Sequence, residues 1–195
     1  MNAYFGLHRK KDFKKKAYEY FKELYGVSKR QLNTAVVKAY EAHHDFRKYV
    51  REQGKSAIEY AKKHDLKVIV LSGRPYHIDS EINHGLDDLI TSFNLVLISE
   101  DAISHHLPYK ALNVLNQWTY QSRMYNAARY VTHHKNMEFV QLVSFGCGTD
   151  AITSDEIRDI LERKGKLYTQ IKIDEINNLG AARIRLRSLI AAIEQ

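Results

Sequence analysis

The feature that most limits what this chain can fold into is the run Val140-Gln141-Leu142-Val143-Ser144-Phe145-Gly146-Cys147-Gly148-Thr149-Asp150, where an apolar stretch breaks into glycines around the only cysteine. β-branched and large apolar residues ending in Gly-X-Gly describe a buried parallel strand that hands over to a loop. Cys147 is then expected at the carboxyl end of the sheet. In open α/β sheets that edge collects ligands, because loops project there from a rigid scaffold into a crevice.

The rest of the chain supplies partners for such a strand. Lys67 to Ser72 is a second continuous apolar run, Asn94 to Ser99 a third, and Leu167 to Ile173 a fourth. Helical spacing separates them: a helix from Asp79 or Ser80, an aromatic-rich helix from Ala111 to His133, one from Ser154 to Arg163, and a last one from Leu179 to the end. Strand and helix alternate four times, which predicts a Rossmann-like, flavodoxin-like α/β fold with a four-stranded parallel sheet. Right-handed crossovers and the commonest small doubly wound pattern give the order 2-1-3-4. That order makes strands one and three neighbours, about 4.8 Å apart, so Gly73 to His77 and Gly146 to Asp150 line one concavity. Arg74, Tyr76 or His77 then reaches toward the region before Cys147.

Ahead of the first strand the periodicity is helical throughout. Phe13, Ala17, Phe21 and Leu24 form one stripe, which Gly26 and Ser28 end and restart. Leu32, Val36, Ala39, His43, Phe46 and Val50 form a longer one, which Gly54 is expected to close, and Ala57, Ile58 and Ala61 mark a third helix. Residues 1–65 thus read as a basic helical extension and 66–195 as the α/β domain. The charge is uneven: residues 1–63 hold 16 Lys and Arg against 7 Asp and Glu, and the remainder 14 against 16. Lys10, Lys11, Lys14, Lys15 and Lys16 with Tyr18, Tyr20 and Phe21 make only a faint nucleic-acid pattern, and such a run on a helix is ordinarily a solvated face. Neither a nucleic acid nor a membrane partner is expected, since no stretch approaches about 20 apolar residues. One cysteine allows no internal disulfide, in keeping with a cytoplasmic location.

Candidate chemistry gathers at the two glycine-marked turns. Gly73-Arg74-Pro75-Tyr76-His77 joins a strand to a helix, so backbone amides, the helix N-terminus and Arg74 could receive an anion; the alternative is a rigid turn in which Tyr76 packs. The ligand-binding candidates are therefore Gly73, Arg74, Tyr76, His77, Gly146, Gly148 and Asp150. His77, His84, His105, His106 and Cys147 match no standard zinc spacing. A Cys147–His77 nucleophile pair oriented by Asp150 is geometrically allowed if the loops meet, but no protease or transferase signature surrounds it. A cubane iron–sulfur cluster normally takes about four thiolates, so an isolated chain with one cysteine should hold none.

Three stretches carry a family resemblance: Ser72-Gly73-Arg74-Pro75-Tyr76-His77-Ile78-Asp79-Ser80-Glu81-Ile82-Asn83-His84-Gly85, Ser144 to Ala151, and Lys172-Ile173-Asp174-Glu175 with Asn178 to Arg185. Over residues 66–195 the chain resembles the proteins described as CoA-substrate-specific enzyme activases, or acyl-CoA dehydratase activase-related proteins. In that family an actin-like ATPase activator is fused to portions similar to the Rossmann-like subunits of 2-hydroxyacyl-CoA dehydratases. This chain lacks the activator's nucleotide-binding glycine motifs, so the resemblance is to the dehydratase-like portion. It implies that Cys147 supplies one iron–sulfur ligand, the others coming from outside this chain, with Asp174, Arg183 and Arg185 at matching places. It also implies the rest of the parent polypeptide as partner and a CoA thioester as substrate. After the cysteine this chain has Gly148-Thr149-Asp150, where the true dehydratases often have an acidic residue and proline. The alternative is a non-catalytic ligand-binding or interaction module in which Cys147 is structural. Either way the fragment is expected to fold without metal, because four strands and several amphipathic helices make a core of their own.

Overall fold

The computed structural model describes residues 4–108, 112, 114–144, 146, 148–173 and 179–194. The chain divides into two compact units, Met1–Tyr49 and Val50–Gln195. In the first, helix α1 (Lys10–Tyr25) and the start of α2 (Lys29–Lys63) close on a small core of Ala17, Leu32 and Val36. Phe5, Phe13, Tyr18, Phe21 and Tyr40 pack around it, so the aromatics near the basic run serve as core. Gly26 ends α1 in the left-handed conformation (φ 63°), which a glycine adopts without the Cβ clash. Ser28 and Gln31 then start α2 as a reciprocal capping box: Gln31 N–H donates to Ser28 Oγ (3.3 Å) and Ser28 N–H donates to Gln31 Oε1 (2.9 Å).

The second unit is the α/β sheet. Strands β1 (Val68–Ser72), β2 (Val96–Ser99), β3 (Met137–Val143) and β4 (Tyr168–Lys172) are all parallel, in the order β2-β1-β3-β4. This is the order expected of a doubly wound sheet, with its switch point between β1 and β3. Alternate residues face opposite layers. Val68, Val70, Met137 and Phe139 pack against α5 (Thr119–Val131), α6 (Gly148–Glu162) and the last turns of α2. Ile69, Leu71, Val140, Leu142 and Ile171 pack against α4 (Leu86–Thr91) and α7 (Gly180–Ile193). A short α3 (Ser80–Asn83), capped by the Asp79 carboxylate, precedes α4, and His84 (φ 57°) and Gly85 (φ 76°) separate the two.

Three element boundaries differ from the sequence reading. Gly54 does not end a helix. It lies inside the 35-residue α2, where a Cβ would stand 2.4 Å from the Ala102 Cβ, so the glycine permits a close approach and α2 runs on until Ala57, Ile58 and Ala61 reach the sheet core. The aromatic-rich helix begins at Thr119, because Trp118 is extended (φ −110°, ψ 133°) and its carbonyl receives the first helical hydrogen bond, from Ser122 N–H; residue 111, the expected start, lies outside the described residues. Helix α6 begins at Gly148, six residues before the expected start, with Asp150 in its first turn, where a carboxylate suits the amide end. Among the described residues no helix is long and apolar enough to cross a membrane.

Candidate functional site

Because β1 and β3 are neighbours, the loops that leave their carboxyl ends meet. After Ser72 the chain turns through Gly73 and Arg74 into a single 3₁₀ turn, Pro75–Ile78. From there it grips both flanks of the β3–α6 connection. His77 Nε2 lies 3.1 Å from Ser144 Oγ, and the Tyr76 hydroxyl lies 3.2 Å from the same oxygen. Arg74 donates to Asp150 Oδ1 from Nη2 (3.1 Å) and Nε (3.3 Å). Ser144 precedes the connection and Asp150 opens α6, so one short loop pins the connection at each end. Gly73 is required for this: a Cβ there would stand 2.4 Å from His77 Nδ1 and 3.1 Å from the Leu142 carbonyl.

The hydrogen bonds settle what His77 can do. Its Nδ1 receives the Arg74 backbone N–H (3.1 Å), and an amide only donates, so Nδ1 carries no proton. A neutral ring must then hold its proton on Nε2 and donate it to Ser144 Oγ. A base for Ser144 would need the opposite arrangement. His77, 1 % exposed, is therefore a strut, and neither a Ser–His nor a Cys–His nucleophile pair can be built on it without turning the ring. Arg74 is likewise engaged: the guanidinium that the sequence offered to an anion is held by Asp150.

A polar layer that the sequence reading missed lies under this edge. Gln141, in the middle of an apolar strand, donates to Ser154 Oγ (3.1 Å) and accepts from the Tyr168 hydroxyl (2.9 Å). Gln121 of α5 donates to Thr153 Oγ1 of α6 (2.6 Å). Ser72 Oγ and Asp150 Oδ2 are buried without a hydrogen-bond partner among the described residues. Beyond β2, Arg123 of α5 bridges Glu100 Oε1 (3.3 Å) and Asp101 Oδ1 (2.7 Å). Burial pushes the Glu100 carboxyl up to about 8; Asp101 adds to this and Arg123 opposes it. A polar residue inside an apolar run, and an acid directly after a strand, are the signals that could have found Gln141 and Glu100.

Other candidates stand apart from the clamp. Gly146 and Gly148 are exposed, with nothing within 4 Å of an added Cβ. The His105 and His106 rings lie 4.1 Å apart at a tilt of 35°, His106 stacks on Tyr130 (5.0 Å), and His84 caps α3. Among the described residues no group of three or more His, Cys, Asp or Glu could hold a metal ion. Arg183 and Arg185 are exposed on α7. Cys147 and Asp174 lie outside the described residues. A complete cubane cluster does not fit this chain, which has a single cysteine, a His77 ring bonded at both nitrogens and an Asp150 carboxylate engaged by arginine.

Residues 1–103 match the family model described as "CoA enzyme activase uncharacterised domain (DUF2229)". The chain belongs to that family. The matched stretch of this CoA enzyme activase domain takes in both α1 and α2 and runs through β1, the Gly73–His77 loop and β2. It therefore includes one arm of the clamp, while Ser144 and Asp150 lie beyond it. Comparison with curated proteins and with solved structures found no match.

Proposed function

We propose that this chain is a dehydratase-like module of a CoA enzyme activase system, inactive alone, whose β3–α6 connection presents Cys147 as one ligand of an iron–sulfur cluster completed by thiolates from the rest of the parent polypeptide. The observation that supports this reading is the clamp. Ser144 and Asp150, on either side of the connection, are both held by the Arg74–His77 segment. Fixing the two ends of a loop on a rigid scaffold is what precise presentation of a residue between them requires. His77 offers no free ring nitrogen as a base, since Nδ1 receives the Arg74 N–H and Nε2 donates to Ser144. In this reading the module contributes position, and a CoA thioester is the substrate of the larger assembly.

The test uses the parent protein. Anaerobic reconstitution of wild type and Cys147→Ser should give a variant with less iron and an altered cluster spectrum. Unchanged iron content and spectrum overturn the reading.

A second reading, a ligand-binding or interaction module with a structural Cys147, is favoured by one observation. Ser72 Oγ and Asp150 Oδ2 are buried polar oxygens without a partner among the described residues, and native structures leave few such atoms unsatisfied. A ligand offering O–H or N–H groups would complete them. Thiol labelling of the folded chain separates the readings: a Cys147 that reacts readily suits presentation, and one that reacts only on unfolding suits the structural role.

A further inference from the structure

At the amino edge of the sheet, opposite the clamp, an open cavity of about 510 Å³ lies where three turns converge. Lys67 enters from the turn before β1, His133, His134 and Lys135 from the turn between α5 and β3, and Lys164 and Lys166 from the turn between α6 and β4. The lining is strongly cationic. Its one carboxylate among the described residues, Glu138, is taken by Lys166, whose Nζ lies 2.8 Å from Oε1 and 2.7 Å from the Met137 carbonyl. The ammonium groups of Lys67, Lys135 and Lys164 have no acidic or hydrogen-bonding partner among the described residues.

A structural role would be to offset helix ends, since α5 and α6 both terminate here and cations favour that position. Those ends are already satisfied. Thr132 Oγ1 donates to the Arg129 carbonyl (2.7 Å), and the Nδ1 atoms of His133 and His134 reach the Arg129 and Tyr130 carbonyls (2.7 and 2.8 Å). In α6 the backbone N–H groups of residues 164 and 166 reach the Leu161 carbonyl, and that of Gly165 reaches Glu162. The lysines are therefore surplus to capping α5 and α6; Ala192 and Ile193 of α7 line the remaining wall. Since a carbonyl only accepts, both histidines hold a proton on Nδ1.

We infer that this amino-edge cavity binds a diphosphate group, held by Lys67, Lys135 and Lys164 as point charges. The cavity falls within the size range of small-molecule sites, and several unpaired ammonium groups around one concavity suit an anion of more than one charge. This inference does not rest on the carboxyl-edge reading.

Calorimetric titration of the full chain with inorganic pyrophosphate tests it, with ADP as a second arm to separate a free diphosphate from a nucleoside ester. Pyrophosphate should bind, and Lys135→Gln/Lys164→Gln should weaken it at least about tenfold. The control, Lys11→Gln/Lys15→Gln on α1, removes the same charge and should change binding by less than about twofold. ADP binding tighter than pyrophosphate assigns the site to an ester; weaker binding assigns it to the free anion. Absence of pyrophosphate binding, or equal weakening in both double variants, overturns the inference. Lys67→Gln provides a third variant at the same site should the first melt at lower temperature than wild type.

Discussion

Arg74 Nη2 stands 3.1 Å from Asp150 Oδ1 across 76 residues of sequence, tying the loop after β1 to the first turn of α6. The carboxylate also lies in the first turn of α6, at the amide end of the helix. Arg74→Met would leave a carboxylate whose side chain is 11 % exposed without its cation. Removing one partner of a largely buried pair costs more than replacing both. We expect a loss of about 2 kcal/mol for Arg74→Met, a smaller loss for Asp150→Asn, and a double variant closer to the latter. Urea unfolding of the four proteins measures the coupling, and strict additivity would show that the pair contributes nothing.

Gly73→Ala should be among the most damaging small substitutions in the loop. The added methyl would meet His77 Nδ1 at 2.4 Å and the Leu142 carbonyl at 3.1 Å, and the latter belongs to β3 and cannot give way freely. Overpacking of this kind costs about 1–3 kcal/mol. In wild type, long-range ¹H–¹⁵N spectra should report the His77 proton on Nε2, the tautomer that the Arg74 N–H bond demands. In the variant that pattern should change, since the ring must move. A proton on Nδ1 in wild type would contradict the strut role.

Gly54→Ala separates two opposing effects in α2. On propensity alone the change stabilises a helix by about 1 kcal/mol. Here the new methyl would lie 2.4 Å from the Ala102 Cβ and 3.3 Å from its Cα, and overpacking of about 1–3 kcal/mol should win. Net destabilisation is expected, and Ala102→Gly in the same background should restore part of it. A more stable Gly54→Ala protein would mean that α2 withdraws from Ala102 without penalty.

The sheet was legible because parallel strands buried on both faces write themselves as continuous apolar runs, as in Val68 to Ser72 and Met137 to Val143. Strand order followed from connection rules, and with it the meeting of Arg74 and His77 with the β3–α6 connection. What was not legible depends on contacts across the chain. Gly54 has the same local appearance whether it stops a helix or admits Ala102, because only the neighbour decides. The choice of Asp150 as partner for Arg74, in place of an external anion, is likewise tertiary. The lysines of the amino edge come from three separated turns, so no local window of sequence displays them together.

Glu100 should make stability depend on pH in a direction unusual for a carboxylate. The group is 3 % exposed and its folded-state value is pushed up to about 8, chiefly by burial, against an ordinary 4.5. Between those values the folded protein holds a proton that the unfolded chain has released, so stability falls as pH rises through this window. The contribution is fully present below about 4.5 and is lost once pH passes about 8. Glu100→Gln keeps the shape and an oxygen acceptor for Arg123, which retains Asp101 at 2.7 Å, and it removes the titration. The variant should therefore gain on wild type as pH rises from 5 to about 8.5. His106, whose value is lowered mainly by burial, contributes in the opposite sense but equally to both proteins, so the difference between their urea midpoints isolates Glu100. Parallel profiles across that range would show that Glu100 is ionised at neutral pH and that Arg123 outweighs its burial.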